Sequence, residues 1–454
     1  MVKVILTARF ENNKRKGEKL MNKLLENGVS VKTLFGGTAK VEKYLAEGGQ
    51  GAVYVAEYNG EKKALKWYKK ASLGANPKAF YDNIRQNIMR GAPSTEFLWP
   101  LDITEWTDGT FGYIMDLRPE GYHDISEFML CKVRFKSYKA IIDAALHIVT
   151  AFRILHNSGY AYLDLNDGNF FINPNSGDVL ICDNDNVAPE NAETGMRGKP
   201  RYMAPEVVLK KNKPNSYSDR FSMSVILYIL FCLDHPLEGK RYLVPALTPA
   251  LQEKLYGSEA LFMMDPDDQS NGPHPVAHKN SIVVWSCLPE YMRVIFLDAF
   301  GQKAMQKPTA RPKEKDWIAV LTRFRSEILT CSCGNEVFTQ NGEPCECDAC
   351  GKKAEIPFKL TFRNYSIPAL KGSRIYRCQL GVCNEADALT PVAIVLEKKD
   401  TGALGIKNKS GKHWDSITSK GTARKVSPDE VIPLKDGITF TCAGADETIK
   451  IQAN

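Results

Sequence analysis

The chain has 454 residues, of which 43% are hydrophobic and 25% are charged, as is ordinary for a soluble globular protein; this length predicts about three domains. The 60 Lys and Arg residues exceed the 53 Asp and Glu residues by a net charge of only +7, which does not indicate a nucleic-acid partner. The longest uncharged apolar run, Phe221–Leu233, has 13 residues, which fits a buried helix and is too short to span a bilayer. Because the N-terminus also lacks the apolar core and cleavage site of a signal peptide, we expect a cytoplasmic protein with no membrane partner.

The first segment, residues 1–43, is a lysine-rich extension. Within it, GEKLMNKLLENG (17–28) predicts a short amphipathic helix that ends at Gly28. This helix either packs on the domain that follows or serves as a regulatory arm that binds a partner.

Residues 44–70 predict three strands separated by two turns. The first turn, EGGQG, contains Gly48, Gly49 and Gly51, whose backbone N–H groups can approach a phosphate because no side chain stands in the way. The second turn is an Asn-Gly hairpin, and the strand after it carries Lys66, fifteen residues after Gly51. A lysine buried on such a strand costs free energy unless it meets an anion.

Residues 162–186 place three oxygen-bearing side chains around a strand hairpin. Asn169 follows Asp164 by five residues, and Asp183 follows Asn169 by fourteen. Two short apolar runs and a Pro-Asn-Ser-Gly turn lie between the last two. Asp, Asn and Asp brought together in this way suit a group that accepts a hydroxyl proton and two ligands for Mg²⁺.

The glycine-rich turn and the strand after it resemble those of eukaryotic-like protein kinases. Gly48 and Gly51 match the second and third glycines of the loop that covers the phosphates of ATP. Val53 matches the valine that covers adenine, and Ala64-Leu65-Lys66 matches the Ala-x-Lys of the third strand. The resemblance implies that ATP binds under residues 46–53 and that Lys66 holds its phosphates.

The later motifs follow in the order that this family requires. Met115–Arg118 resembles the hinge, where the backbone of Asp116 and Arg118 is expected to meet the adenine edge. The resemblance implies that Asp164 is the catalytic base and that Asn169 and Asp183 bind Mg²⁺.

The end of the activation segment and a late arginine complete the resemblance. Met203–Glu206 matches the Ala-Pro-Glu end of that segment, and Arg311 matches the arginine that pairs with its glutamate. An α+β, bilobal protein kinase fold over residues 44–329 is therefore expected, with an N-lobe over 44–115 and a C-lobe over 119–329.

Two departures from the family pattern lie in the N-lobe. Ala46 stands where the first loop glycine is usual. There is no Glu between Lys66 and Pro93, so only Asp82 or Asn83 is available to brace the lysine.

Three more departures lie in the C-lobe, which also has one candidate phosphorylation site. Tyr162-Leu163 replaces the usual His-Arg, which removes the acceptor for an activation-loop phosphate. Asn166 replaces the catalytic-loop lysine and so removes one positive charge from the transferring phosphoryl group. Asn184-Asp185 replaces Phe-Gly and is expected to weaken the usual flip of this segment. Thr194 is the one Ser or Thr between Asp183 and Glu206, either an autophosphorylation site or a solvated loop residue.

Five of the 12 cysteines lie between residues 331 and 350, which indicates a metal site in a reducing compartment. Cys331 and Cys333 form one pair, Cys347 and Cys350 form another, and a glycine follows each pair. Two such knuckles predict a structural Cys₄ zinc site in a zinc ribbon over residues 330–354, with Cys345 as an alternative to Cys347. The metal would supply the folding energy of so short a segment.

Residues 355–454 alternate short strand patterns with turns, as is typical of a β-sandwich. Phrases such as IPALKGSRIYRCQL loosely resemble a forkhead-associated domain. The Ser-x-x-His signature of that family is missing, although Arg374 or Arg377 remains available to meet a phosphate. An interaction domain is the default expectation, and phosphopeptide binding is the alternative.

The full set of motifs predicts an ATP- and Mg²⁺-dependent serine/threonine protein kinase. Lys66, Asp164, Asn169 and Asp183 are all present, and positioning and electrostatics by such groups supply most of this catalysis. The alternative is a weak or inactive pseudokinase that binds nucleotide and acts as an adaptor. A small-molecule kinase is a third possibility, which the peptide-docking motif Met203–Glu206 disfavours.

The order of the domains carries one more resemblance. A kinase domain, a zinc ribbon and a C-terminal β-domain together resemble bacterial kinases of tellurite-resistance-associated phosphorylation systems. This resemblance implies protein substrates in a stress response and, as partners, a von Willebrand A-type protein and a metal-dependent Ser/Thr phosphatase.

Overall fold

The computed structural model describes residues 25–192, 198–381 and 388–454. These form two compact units, the first made of residues 25–91 and 99–117 and the second of residues 92–98 and 118 onwards. Most of the helix expected over 17–28 lies outside the described residues, and so does Thr194.

The first unit is built on a six-stranded antiparallel sheet with the strand order β1-β2-β3-β4-β6-β5. Its strands are β1 (Ser30–Lys32), β2 (Thr38–Glu47), β3 (Gly51–Tyr58), β4 (Glu61–Tyr68), β5 (Pro100–Ile103) and β6 (Gly112–Met115). The turn between β3 and β4 has positive φ at both Asn59 (52°) and Gly60 (81°), as a two-residue hairpin requires. The Asn-Gly hairpin predicted from the sequence is therefore confirmed.

Helix α1 (Pro77–Arg90) also belongs to the first unit. The side chain of Asn76 accepts a hydrogen bond from the N–H of Ala79, and the helix ends at Gly91, where φ is +82°. Its buried Phe80 packs edge-on against Tyr68 of the sheet, with ring centroids 5.2 Å apart. Helix α1 thus lies between β4 and β5 along the chain.

Helices dominate the second unit as far as residue 327. They are α2 (Ile125–Met129), α3 (Tyr138–Asn157), α4 (Pro205–Val208), α5 (Ser216–Cys232), α6 (Pro249–Glu253), α7 (Lys279–Cys287), α8 (Glu290–Phe300), α9 (Gln302–Gln306) and α10 (Glu314–Glu327). Almost every residue of α5 is buried, so the buried helix predicted for the apolar run is confirmed. Within the described ranges, no helix combines the length and the apolar character needed to cross a bilayer.

Short strands position the loops of the second unit. They are β7 (His123–Asp124), β8 (Tyr160–Ala161), β9 (Phe170–Ile172), β10 (Val179–Ile181), β11 (Ala188–Pro189), β12 (Ile328–Thr330) and β13 (Glu336–Phe338). Strands β9 and β10 pair antiparallel, with Phe170 opposite Ile181. This hairpin holds the residues before and after it, Asn169 and Cys182, close together.

The C-terminal part is rich in β-structure and forms two antiparallel sheets. Their strands are β14 (Phe358–Thr361), β15 (Ser366–Pro368), β16 (Arg374–Tyr376), β17 (Pro391–Glu397), β18 (Leu404–Asn408), β19 (Trp414–Ile417), β20 (Ala423–Val426), β21 (Val431–Pro433), β22 (Thr439–Cys442) and β23 (Thr448–Ala453). Residues of both sheets, such as Trp414 in β19 and Ile406 in β18, belong to one buried core. The sequence pattern of alternating strands and turns fits this two-sheet arrangement.

Candidate active site

The glycine-rich turn of the first unit is held at its ends and open in the middle. A Cβ atom added at Gly51 would lie 2.2 Å from the carbonyl oxygen of Trp67, whereas one at Gly48 or Gly49 would meet nothing within 4 Å. The N–H of Gly48 donates to the carbonyl oxygen of Gly51 (2.8 Å). Gly51 is therefore required by the close approach of β4, while the other two glycines leave their backbone accessible.

Strand pairing places the predicted nucleotide-binding residues of the first unit on one face of its sheet. Ala46 lies opposite Val53, and Val53 lies opposite Lys66. Ala64 lies two positions before Lys66 on β4, which places it on the same face. The sheet thus brings these four residues together, although they come from three strands.

Lys66 is buried, with only 5% of its surface exposed. Its Nζ lies 3.4 Å from Oε1 of Gln50 in the glycine-rich turn. The same nitrogen lies 5.4 Å from the ring centroid of Tyr68 and 5.8 Å from that of Tyr113, within the range of cation–π attraction. Bracing of this lysine by Asp82 or Asn83 stays a prediction.

The two predicted hinge residues have defined side-chain contacts. Oδ1 of Asp116 accepts a hydrogen bond from Nζ of Lys63 (2.8 Å) in the first unit. The guanidinium of Arg118 lies 4.0 Å from the ring centroid of Phe171 in the second unit. Both side chains are therefore held by defined contacts, and the role of the two backbones in binding adenine stays a prediction.

The loop before β9 fixes Asp164 and Asn169 relative to each other. Nδ2 of Asn169 donates to the carbonyl oxygen of Asp164 (3.0 Å) and to the hydroxyl of Tyr162 (3.3 Å). Because both N–H groups of this amide are used, its Oδ1 is the side-chain atom that remains to meet a ligand. The predicted base and one predicted metal ligand are therefore held together within one loop.

Tyr162 replaces the usual histidine of this loop and is fully buried. Its hydroxyl donates to the carbonyl oxygen of Cys182, the residue before Asp183. Its backbone N–H donates to Oδ2 of Asp219 in α5 (2.6 Å). The tyrosine thus ties the loop to the Asp183 segment on one side and to a buried helix on the other.

Asp183 and the residue after it are also tightly constrained. Asp183 adopts the left-handed conformation (φ 54°, ψ 43°), which is rare for a non-glycine residue and frequent at functional sites. Nδ2 of Asn184, which stands where the family has phenylalanine, donates to the carbonyl oxygens of Leu98 (2.7 Å) and Ile181 (2.9 Å). A buried amide anchors this segment at the position where an aromatic ring is usual.

The protonation of Asp164 depends on its surroundings. Burial, with a contribution from the carboxylate of Asp183, raises the pKa of Asp164 to about 6, although the ammonium of Lys199 opposes the shift. A carboxylate with such a pKa is a stronger base than an exposed aspartate. The carboxylate of Asp183 is thus close enough to Asp164 to affect its protonation.

The segment that ends at Glu206 is anchored by two ion pairs. Nη1 and Nη2 of Arg311 lie 2.7 and 2.8 Å from the two carboxylate oxygens of Glu206, which confirms the predicted pairing. Upstream, Nε and Nη2 of Arg201 donate to the carboxylate oxygens of Glu238 (2.6 and 3.0 Å). Paired, two-point contacts of this kind fix geometry well.

Four cysteines converge at a separate place in the second unit. The Sγ atoms of Cys331, Cys333, Cys347 and Cys350 all lie within 4.8 Å of one another. Two of the Sγ–Sγ distances are 3.7 Å, close to the roughly 3.8 Å edge of a tetrahedron with Zn–S bonds of about 2.3 Å. Cys345, the sequence alternative to Cys347, is not a member of this cluster.

The cysteine segment contacts the start of helix α3. The carboxylate of Glu336, in β13, accepts hydrogen bonds from the backbone N–H groups of Tyr138 and Lys139 (3.2 Å for the latter). A carboxylate is favourable at this position because the first N–H groups of a helix have no partner within the helix. No pattern in the sequence indicates this contact.

Part of the chain is similar in sequence to known protein kinases. Residues 40–245 match the family model described as "Protein kinase domain". Protein kinase YegI of Escherichia coli (strain K12) is 24% identical over 336 residues, which cover 68% of this chain and 48% of YegI. Maternal embryonic leucine zipper kinase of Xenopus tropicalis is 25% identical over 211 residues, covering 45% of this chain and 31% of that kinase.

A solved structure is also similar. The kinase domain of PknI from Mycobacterium tuberculosis aligns with a TM-score of 0.41 and 17% identity, covering 65% of this chain and 97% of that domain. The alignments span about half of YegI and about a third of the leucine zipper kinase. The family match assigns a protein kinase domain to residues 40–245.

Proposed function

We propose that this chain is an ATP-dependent serine/threonine protein kinase of a bacterial phosphorylation system. The observation that carries the proposal is the locked pair of Asp164 and Asn169, in which the amide of Asn169 is bound to the backbone of Asp164 (3.0 Å). Phosphoryl transfer uses an aspartate base and an asparagine metal ligand held close together, and a hydrophobic core has no need of this arrangement.

In this proposal Asp164 receives the proton of a serine or threonine hydroxyl. The hydroxyl oxygen forms a bond to the γ-phosphorus of ATP, the bond to the β–γ bridging oxygen breaks, and ADP leaves with that electron pair. Burial of Asp164, which raises its pKa to about 6, favours proton acceptance near neutral pH. Lys66 binds phosphate oxygens of ATP, and its burial strengthens that attraction.

Asn169 and Asp183 are the proposed ligands of Mg²⁺. Their donor atoms are an amide oxygen and a carboxylate, which this hard cation prefers. When bound, Mg²⁺ neutralises charge on the phosphates of ATP. The hydroxyl of Tyr162 contacts both the amide of Asn169 (3.3 Å) and the carbonyl of Cys182, so it keeps the two ligand residues in register.

The test compares Asp164→Asn with Asp178→Asn, an exposed aspartate of the β9–β10 turn, in the full chain. General-base catalysis contributes about 10²–10⁴-fold, so Asp164→Asn should lower phosphotransfer from γ-labelled ATP by that factor and leave ATP affinity unchanged. Asp178→Asn should behave as the wild type. Equal activity in the Asp164 variant would refute the role of the base. Tight ATP binding with no labelled protein in the wild type would instead support an adaptor.

The cysteine cluster is proposed to hold a structural Zn²⁺. Four thiolates fill a tetrahedral shell, so no position is left for catalysis. A thiolate site of this kind requires a reducing compartment, which agrees with the expected cytoplasmic location. The glycines after each cysteine pair, Gly334 and Gly351, have positive φ (92° and 66°), as the tight knuckles around a metal require.

The partner proteins are proposed on the resemblance of the domain order alone. We expect protein substrates, a von Willebrand A-type protein and a metal-dependent Ser/Thr phosphatase in a stress-response system. Capture with the full chain, followed by mass spectrometry of bound proteins and their phosphosites, should recover the two partners. Recovery of unrelated proteins would refute this assignment and leave the kinase proposal standing.

A further inference from the structure

The catalytic loop lacks the lysine that the family places two residues after the base, but a lysine from another part of the chain contacts the residue at that position. Asn166 occupies the position in the chain and is buried, with 3% of its surface exposed. Its Oδ1 accepts a hydrogen bond from Nζ of Lys199 (2.9 Å), and its Nδ2 donates to the carbonyl oxygen of Asp164 (3.1 Å). Asn166 therefore connects the ammonium of Lys199 to the loop that carries the base.

Main-chain contacts determine the position of Lys199. The preceding residue, Gly198, lies against the base: a Cβ atom added there would be 3.2 Å from Oδ1 of Asp164. The carbonyl oxygen of Lys199 accepts a hydrogen bond from the N–H of Tyr202 (2.9 Å). Two residues further along, Arg201 is fixed by its two-point pair with Glu238.

The ammonium of Lys199 has donors to spare. Among the described residues, the hydrogen bond to Asn166 is the one contact that its side chain makes with an acceptor. An ammonium carries three N–H groups, and the side chain is exposed. A lysine that served only to tether Asn166 would gain little from this exposure, whereas an anion can reach its remaining N–H groups.

We propose that Lys199 is a catalytic residue that binds the transferring phosphoryl group, in place of the lysine missing from the catalytic loop. This inference rests on the proposed kinase function. As the hydroxyl oxygen bonds to phosphorus and the bridging oxygen departs, negative charge is spread over the three equatorial oxygens. The ammonium of Lys199, next to the proton acceptor Asp164, is placed to stabilise that charge in the transition state.

Five variants of the full chain test the inference, and phosphotransfer kinetics and ATP affinity are measured for each. Lys199→Met and Lys199→Thr remove the charge, and Lys199→Arg keeps it. Lys199→Thr combined with Asn166→Lys moves the charge back to the catalytic loop. Lys211→Met, at an exposed lysine just beyond helix α4, is the matched control.

Removal of one donor to a developing oxyanion typically costs about 10²–10³ in kcat, so Lys199→Met and Lys199→Thr should lose about 10²-fold in kcat with unchanged ATP affinity. Lys199→Arg should keep much of the activity. The double variant should recover about tenfold or more over Lys199→Thr, because the charge returns close to the same place. Lys211→Met should match the wild type, and all variants should unfold at the same temperature.

The outcomes separate this inference from the kinase proposal. If Lys199→Met keeps the kcat of the wild type while Asp164→Asn is inactive, the chain is a kinase and Lys199 is not catalytic. If the double variant folds but recovers nothing over Lys199→Thr, Lys199 does not act through its charge, and the inference is again wrong. If the wild type transfers no phosphate to any protein, the kinase proposal fails and this inference fails with it.

Discussion

Replacing His156 by glutamine is expected to remove a pH dependence from the stability of the second unit. His156 lies in the last turn of α3, and 2% of its side chain is exposed. Its Nδ1 lies 2.7 Å from Oε1 of Glu314, and its Nε2 lies 3.1 Å from Oδ2 of Asp219. With a carboxylate at each ring nitrogen, both nitrogens donate and the imidazole is charged.

The magnitude follows from the pKa of this histidine. Burial lowers the pKa of His156, but the hydrogen bonds to Asp219 and Glu314 outweigh burial and raise it from 6.5 to about 9. This difference corresponds to about 3 kcal/mol of stability. Because the pKa is raised in the folded state, the contribution is fully present below pH 6.5 and is lost as the pH rises through about 9.

The same hydrogen-bond network also makes the stability of the fold depend on pH in acid. Although burial opposes it, the hydrogen bond and charge of His156 lower the pKa of Glu314 from 4.5 to about 2. A lowered carboxylate pKa stabilises the fold above pH 4.5, and this stability is lost as the pH falls through about 2. Both contributions are therefore present together between pH 4.5 and 6.5.

The assay is denaturant unfolding of wild type, His156→Gln and, as a control, His413→Gln at an exposed histidine. Between about pH 6 and about pH 10, the wild type and the control should lose about 3 kcal/mol more stability than His156→Gln. Other titrating groups are common to all three proteins and cancel in the comparison. Equal losses in wild type and His156→Gln would refute the charged, doubly hydrogen-bonded histidine.

Two further predictions concern the glycine-rich turn and the cysteine cluster. Gly51→Ala places a methyl group 2.2 Å from the carbonyl oxygen of Trp67 and should destabilise the chain by about 1–3 kcal/mol in thermal unfolding; Gly49→Ala, with open space around it, should not. Cys347→Ser should abolish bound zinc in elemental analysis and lower the unfolding temperature, whereas Cys345→Ser, outside the cluster, should leave about one zinc per chain. Zinc retained by Cys347→Ser would contradict the ligand assignment.

Features set by short-range chemistry were predictable from the sequence. The Asn59-Gly60 turn needed two residues that tolerate positive φ, and both adopt it. The cysteine knuckles likewise follow from spacing and an adjacent glycine. The hairpin before Asp183 follows from two apolar runs around a turn, and its register agrees.

Strands β1 and β2 begin before residue 44, and β2 carries a sequence pattern typical of a strand. In β2, Ala39 and Val41 are buried, whereas Lys40 and Glu42 between them are exposed. This alternation with period two is the pattern of a strand with one face in the core. The high lysine content of the region obscured it.

The role suggested for Lys199 could not be predicted by comparing positions along the chain. Asn166 and Lys199 are 33 residues apart and meet only after folding. Comparison with the family pattern shows that Asn166 lacks the positive charge of the usual lysine. It does not show that Lys199 is placed to supply that charge. The buried contacts of His156 with Asp219 and Glu314 span 63 and 158 residues and are hidden from the sequence for the same reason.

The most direct test of the kinase proposal is to follow the γ-phosphate and the α-phosphate of ATP in parallel reactions. Purified full chain is incubated with Mg²⁺, candidate partner proteins and ATP labelled at either the γ- or the α-phosphate. We predict stable label on serine or threonine from γ-labelled ATP alone, and its loss in Asp164→Asn. Tight ATP binding by the wild type without labelled protein, or labelling that persists in Asp164→Asn, would contradict the account.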